Sequence, residues 1–244
     1  MKIRALIFAL DPPKQEVIDR FEYLGMTALR ALIEIDGEPA IKRLVESIQK
    51  IPDVKISIFT PNIGKMREVF PDSDLEIREL KEVSARRVEK ILAEVSPDDR
   101  ILLIQGDLPF VVTNELIELL DHSKRGKTIS FPIVESDLFP KGITKKSASF
   151  REGVFSPGKA FAGESQLLRS NSFLRKIEKY SQSPFEVMEI LGPGLFFKFA
   201  IGKATLAEVE KAVSGKLEIP IKFLRMPSDA LARNLSNAAD LESI

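Results

Sequence analysis

The sequence has no cysteine, no tryptophan and a single histidine, His122, in 244 residues. Without cysteine there is no disulfide, no thiolate metal site and no cysteine nucleophile. One histidine rules out a histidine-rich metal cluster. Neither sign of charge is in excess, since Lys plus Arg and Asp plus Glu number 36 each. That balance argues against a nucleic-acid binder, which carries a basic surplus. Long apolar runs are lacking too. The longest, "LGPGLFFKFAIG" (191–202), is broken by Gly192-Pro193-Gly194 and Lys198, far short of the ~20 residues of a membrane span. The opening "MKIRALIFAL" is not built as a secretory leader. Its apolar run is brief, and "DPPKQE" follows in place of small residues and a cleavage site. It reads as the first strand of a cytoplasmic protein with neither membrane nor nucleic-acid partners.

What is there is an alternation of short strands and amphipathic helices. "IRALIFAL" (3–10) is a nearly continuous apolar run, as expected of a strand covered on both faces. "KQEVIDRFEYLG" predicts a short helix ending at Gly25. "RALIEIDGEPAIKRLVESIQKI" reads as a short strand, an Asp36-Gly37 turn and a helix. "VKISIFT" (54–60) is a strand, and Pro61-Asn62 opens another helix. "DLEIREL", "SARRVEKILAEV" (capped by Ser84), "RILLIQ" and "TNELIELLDH" continue the pattern, with His122 closing the last helix. Strand–helix alternation predicts a mostly parallel sheet with helices on both faces.

The second half is less regular. "KTISFPIV" is a strand, followed by a lysine-rich loop, "ESDLFPKGITKKS". "ASFREGVFSPGKAFAGESQLLRS" suggests two strands joined by Gly and Pro turns. "SPFE" (183–186) and "TLAE" (205–208) are helix starts, the second a capping box. "IPIKFLRM" is a late strand and "NAADLESI" a closing helix. Phe196, Phe197 and Phe199 cover more than one helical face. Core packing is their first reading, and a homodimer contact the second.

In "ILLIQGDLPFVV" (101–112) a buried strand runs into Gly106-Asp107-Leu108-Pro109. Ligands of open α/β sheets bind beyond the carboxyl ends of the strands. A carboxylate there can hold a Mg²⁺ that bridges phosphates. The alternative is a turn aspartate bonded to its own backbone. "DSD" (72–74) spells a glycosyltransferase-like acidic motif, but it precedes a strand, where a polar turn is the plainer reading.

"LLIQGDLPFVVTNELIELLD" resembles the "GDxPF(L/V)" segment of the MobA-like nucleotidyltransferases. "RALIEIDGEPAIKRLVESI" is similar to that family's "KALIPIGGKPMIEYVLEAL", and "ARNLSNAADLES" resembles its closing "NIDTPEDL". These matches cover most of the chain in order. The resemblance implies a single three-layer αβα domain over 1–244, Rossmann-like and GT-A-like, with a mixed, mostly parallel sheet. Residues 1–135 would be its nucleotide-binding half and 136–244 its acceptor half.

The resemblance further implies that Asp107 is catalytic and binds Mg²⁺, with Asn234 at the second metal-ligand position. Ala9, Leu10, Lys14, Arg30 and Gly106 would bind nucleotide, Arg30 standing where the family has lysine. Gly158 and Lys159 fall near the family's acceptor pocket, "TGGN", and would bind the acceptor, with Lys141, Lys145 and Lys146 on the preceding loop. An oxygen of a small anionic acceptor would attack the α-phosphate of a nucleoside triphosphate, releasing pyrophosphate. One departure is large. The family's "LAGGxGxR" loop cradles the triphosphate on backbone N–H groups, as phosphate nests do. Here "IFALDPPKQE" has Leu10 and Asp11 for the glycines, and Pro12 and Pro13 remove donors. This departure supports an alternative, a degenerate relative that binds a nucleotide or partner without turnover. A glycosyltransferase using a sugar nucleotide is a further alternative.

Overall fold

β1, Ile3–Phe8, lies between β4 (Val54–Thr60) and β6 (Arg100–Gln105) and runs parallel to both. The structure, a computed structural model, describes residues 2–10, 29–143, 145–180 and 184–235. The helices expected over "KQEVIDRFEYLG" and "NAADLESI" fall outside them. β5 (Glu76–Glu79) extends the sheet beyond β4, again in parallel. Its partly exposed, charged composition suits an edge strand.

Because strand side chains alternate between faces, β1 feeds two cores. Ala5, Ile7 and Ala9 pack with Leu102 and Ile104 of β6 under α1 (Ala40–Gln49), α2 (Ile63–Val69) and α4 (Thr113–Gly126). Leu6 packs with Phe59 and Leu103 under α3 (Ala85–Ala93), α5 (Ser165–Arg169), α6 (Phe173–Tyr180) and α8 (Leu206–Leu217). This is the expected three-layer αβα arrangement.

A two-strand hairpin, β2 (Glu34–Ile35) and β3 (Glu38–Pro39), delivers the chain into α1. Its turn is Asp36-Gly37, both with positive φ (51° and 78°), the conformation for which Asp-Gly turns are favoured. In the second half, β7 (Ile129–Glu135) pairs in parallel with β11 (Ile221–Arg225). β10 (Ala160–Glu164) runs antiparallel between β6 and β7, so both halves share one sheet.

The stretch expected to hold two strands holds three, followed by α5. Ala148–Phe150 (β8) turns back through Arg151-Glu152 to pair with Gly153–Pro157 (β9). At Gly158 the chain presses against Pro132, where a Cβ would come within 2.5 Å of Pro132 Cγ. That contact separates β9 from β10. α7 (Pro184–Ala200) breaks at Gly192, whose φ of 71° and ψ of 157° are open only to glycine, with Pro193 next. Beyond the break Phe196 and Phe199 pack on a core cluster, whereas Phe197 is 66% exposed.

Two finer expectations change, and a third, the polar turn over residues 72–74, holds. His122 lies within α4, which runs on to Gly126, and its Nδ1 meets Ser130 Oγ at 2.8 Å. Ser84 occupies the N-cap of α3 with no side-chain cap bond. The Asp72-Ser73-Asp74 motif lies in an exposed turn before β5, away from the carboxyl strand ends. No helix among the described residues is long and apolar enough to cross a membrane.

Candidate functional site

The parallel strands β1, β4 and β6 end on one side of the sheet, and the chain leaves β6 through Gly106 and Asp107. Gly106 N–H donates to Phe8 O at 2.9 Å, which ties the ends of β1 and β6 together. Beyond them opens a cavity of about 510 Å³, lined by Phe8, Ala9, Leu10, Arg30 and Asp107, with Gln105 and the Lys81–Val83 loop at its side. Of the residues expected to bind nucleotide, Ala9, Leu10 and Arg30 line this cavity. Gly106 supports it from behind, and Lys14 lies outside the described residues.

Asp107 is only 5% exposed. Two donors converge on one of its oxygens. Arg30 Nη2 stands 3.2 Å from Oδ2, and Asn234 Nδ2 donates to the same atom at 3.2 Å. Arg30 reaches it from the 3₁₀ turn Arg30–Leu32. Its side chain is 17% exposed, and its Nε is buried with no hydrogen-bond partner.

Asn234 is held by the segment that follows β11. Leu235 N–H donates to Asp107 O at 3.2 Å, and Ala232 and Arg233 N–H both donate to Asp229 O. The Arg233 guanidinium lies 4.0 Å from the centroid of the Phe110 ring, a cation–π contact. Further out, Ser228 Oγ donates to Glu115 Oε1 at 2.5 Å. The "GDLPF" segment therefore does two things. Its aspartate faces the cavity, and its main chain and phenylalanine anchor the strip that brings Asn234 alongside.

The lysine loop meets this strip at Asn234. Lys145 Nζ donates to Asn234 O at 2.8 Å and to Asn234 Oδ1 at 3.4 Å. Lys159, between β9 and β10, is fixed through its backbone. Its N–H donates to Leu231 O at 2.7 Å, and its carbonyl accepts from Gln105 N–H at 3.0 Å. Burial pushes the Lys159 ammonium below its ordinary pKa. Asp107 opposes that shift, while Lys145, Arg30 and Lys146 add to it. Gly158 sits behind on Pro132, and Lys141 stands exposed.

Near Asp107, Glu115 and Asp229 are both pushed above the usual carboxylate range, chiefly by burial. The contacts of Phe110, Arg233, Glu115 and Ser228 were not foreseen from sequence. The pairing of Glu115 with Ser228 spans 113 positions, and no local pattern marks it.

As a divalent-metal site the donors fit in part. Mg²⁺ takes one or two protein carboxylates and completes its shell with water and phosphate, so Asp107 suits it. Asn234 does not suit it as arranged, because its amide N–H faces Asp107 and its carbonyl oxygen accepts from Lys145. Among the described residues no group of three His, Cys, Asp or Glu side chains is placed to hold a metal.

The sequence matches no protein-family model and no curated protein sequence. Solved structures do match. A hypothetical transferase from Thermus thermophilus superposes with a TM-score of 0.81 at 22% identity, over 99% of this chain and all of that one. A nucleotidyl transferase from Methanothermobacter gives 0.61 at 15% identity, over 99% and 95% of the two chains. A 4-diphosphocytidyl-2C-methyl-D-erythritol synthase from Anaerococcus prevotii gives 0.57 at 12% identity, over 99% and 93%. At these identities the likeness is one of fold, and the fold of this chain is that of the nucleotidyl transferases.

Proposed function

We propose that the protein is a MobA-like nucleotidyltransferase that moves a nucleoside monophosphate from a nucleoside triphosphate to a small, phosphorylated acceptor. The observation that carries this reading is Asp107 at the carboxyl end of a central strand, in a cavity shared with Arg30, with Lys159 within its electrostatic reach and Lys145 bonded to the neighbouring Asn234. In the reaction an acceptor oxygen forms a bond to the α-phosphorus, the bond from that phosphorus to the bridging oxygen breaks, and pyrophosphate leaves. An acceptor that is already a phosphate presents an anionic oxygen, so no general base is needed. Arg30 and Lys159 are positioned to offset the charge that builds on the phosphates, the usual electrostatic strategy in such transfers. Asp107 would hold Mg²⁺, which when bound supplies further charge neutralisation.

Leu10, Asp11, Pro12 and Pro13 in place of a glycine-rich loop favour a second reading, a relative that binds nucleotide without turning it over. One experiment separates the two. The protein is incubated with each nucleoside triphosphate, Mg²⁺ and a panel of phosphorylated sugars, alcohols and acids, and pyrophosphate release is measured. Release that needs both nucleotide and acceptor, and is lost in Asp107→Asn, supports transfer. Nucleotide binding with no release across the panel supports the second reading.

A further inference from the structure

A second cavity, of about 310 Å³, opens at the opposite end of the sheet from Asp107. Ile3 and Arg100 begin β1 and β6 side by side, and both line it. Those strands are six residues long, which places this cavity about 20 Å from the strand-end cleft. Ile51, Ile117 and Leu120 supply the other apolar walls, and the charged groups in the lining are Arg100, Asp53 and Asp121. The Arg100 side chain is only 14% exposed, yet its one bond is a long one, from Nη1 to Asp121 Oδ1 at 3.5 Å. Its Nε is buried without a partner, and Nη2 has none among the described residues. Glu164, opposite Arg100 in the β6–β10 ladder, forms no ion pair with it. A guanidinium withdrawn this far from water needs acceptors. Asp53 is the reverse case. It is exposed on the turn between α1 and β4, where Pro52 precedes it and its φ is 55°. No hydrogen bond or ion pair among the described residues holds its carboxylate.

A simple anion would satisfy Arg100 but would meet Asp53 and Asp121 across the same cavity. A metal cation would meet Arg100. A purely apolar molecule would leave the guanidinium unanswered. The lining instead asks one molecule for an acceptor, a cation and a small apolar body. We propose that this cavity binds a free α-amino acid with an aliphatic side chain. The ligand's carboxylate accepts from Arg100 Nη2, a charge-assisted bond. Its ammonium pairs with Asp53, and its side chain packs on Ile3, Ile51 and Ile117. The size agrees, since ligand pockets span ~300–1,000 Å³ and this one lies at the small end. The site is separate from the strand-end cleft, so the transfer reading stands or falls without it.

The test is calorimetric titration of the full chain with L-leucine, beside three analogues that each lack one feature. Isocaproate lacks the ammonium, isoamylamine the carboxylate, and glycine the apolar body. Leucine should bind, and each analogue should bind about tenfold more weakly or worse. Asp53→Asn removes the charge and keeps a residue that tolerates positive φ. It should weaken leucine by about tenfold and cause no loss in isocaproate binding. Its melting temperature should match the parent's, because the carboxylate it replaces has no partner among the described residues. Arg100→Lys keeps the charge and removes the planar fork, and it should weaken leucine and isocaproate alike. No binding of leucine at millimolar concentration would overturn the proposal. So would leucine binding that both variants leave unchanged, since the ligand would then sit elsewhere. Isocaproate binding as tightly as leucine would also overturn it, because Asp53 would then play no part.

Discussion

Gly106 lies so close to Ala9 that a Cβ built on it would stand 2.9 Å from Ala9 Cβ and 3.0 Å from Ala9 Cα. Ala9 leads from β1 into the cavity, and Gly106 precedes Asp107, so this contact sets the separation of the two strand ends. The obstacle includes backbone, which cannot rotate away. Gly106→Ala should force the ends of β1 and β6 apart at about 1–3 kcal/mol, as other overpacking substitutions do. In a chain of this size that is a fall in Tm of several degrees, ~2–4 °C per kcal/mol. Nucleotide binding should weaken as well, because Asp107 and Arg30 move with the strand ends. Thermal melts and titration check both. An unchanged Tm would show that the strands give way at no cost.

Asp107 should divide binding from turnover. It is the carboxylate that Arg30 and the Asn234 amide both face. Asp107→Asn removes its charge and keeps its shape. Pyrophosphate release should fall by about 10² or more, the usual effect of deleting one electrostatic stabiliser in a closed site. Binding of nucleoside triphosphate in the absence of Mg²⁺ should be retained or tighten, because a negative charge beside the phosphates is gone. Loss of both would show that Asp107 organises the nucleotide site itself.

Much of this was legible in the chain because the first half obeys simple periodicities. β1, β4 and β6 are buried on both faces, and continuous apolar runs announce such strands. Asp36-Gly37 marks its own turn, and "GDLPF" marks the end of the central strand. The rest was not legible because it depends on contacts between distant segments. Lys145 and Asn234 are 89 positions apart, and Asp107 and Asn234 127. A lysine-rich loop looks solvated until the sheet brings Asn234 beneath it. β8 has only three residues, too few for alternation to distinguish it from a turn. Ser84 looks like a cap but has Arg87 three residues on, not the Glu or Gln that completes a capping box.

Glu115 gives the fold a pH dependence of unusual sign for a carboxylate. It is 4% exposed, Ser228 Oγ donates to Oε1, and Oε2 has no hydrogen-bond partner among the described residues. Burial raises its pKa, and Asp229 and Glu118 add to the rise. An acid whose pKa is higher folded than unfolded binds its proton more tightly when folded. It therefore opposes folding above its folded pKa, and that penalty fades as pH falls through the folded and then the unfolded value. Glu115→Gln keeps an acceptor for Ser228 and removes the charge. The variant should melt about 2 °C higher than the parent at neutral pH, with the gap closing as the solution is acidified. Melts across a pH series check this. A gap that stays constant with pH would assign the gain to packing.

The start of α8 shows the opposite sign. Thr205 Oγ1 accepts from Glu208 N–H at 3.1 Å, and Glu208 Oε2 accepts from Thr205 N–H at 2.9 Å, a complete capping box. Lys198 Nζ also donates to Glu208, at 2.9 Å. The Thr205 N–H, followed by Lys198, pulls the Glu208 pKa from 4.5 down to about 2. A depressed acid contributes stability above its unfolded pKa and loses it as pH falls through the folded one. Glu208→Gln should thus be less stable than the parent at neutral pH. The difference should shrink below pH 4.5 and vanish near the folded value of about 2. Thr205→Ala should lose about 1 kcal/mol, the common effect of deleting an N-cap oxygen. The double variant should lose less than the two singles together, since each residue answers the other's orphan N–H. Denaturant titrations of the four proteins at neutral pH, repeated below pH 4.5, check the sign and the coupling. Strict additivity at neutral pH would mean that the two bonds act independently.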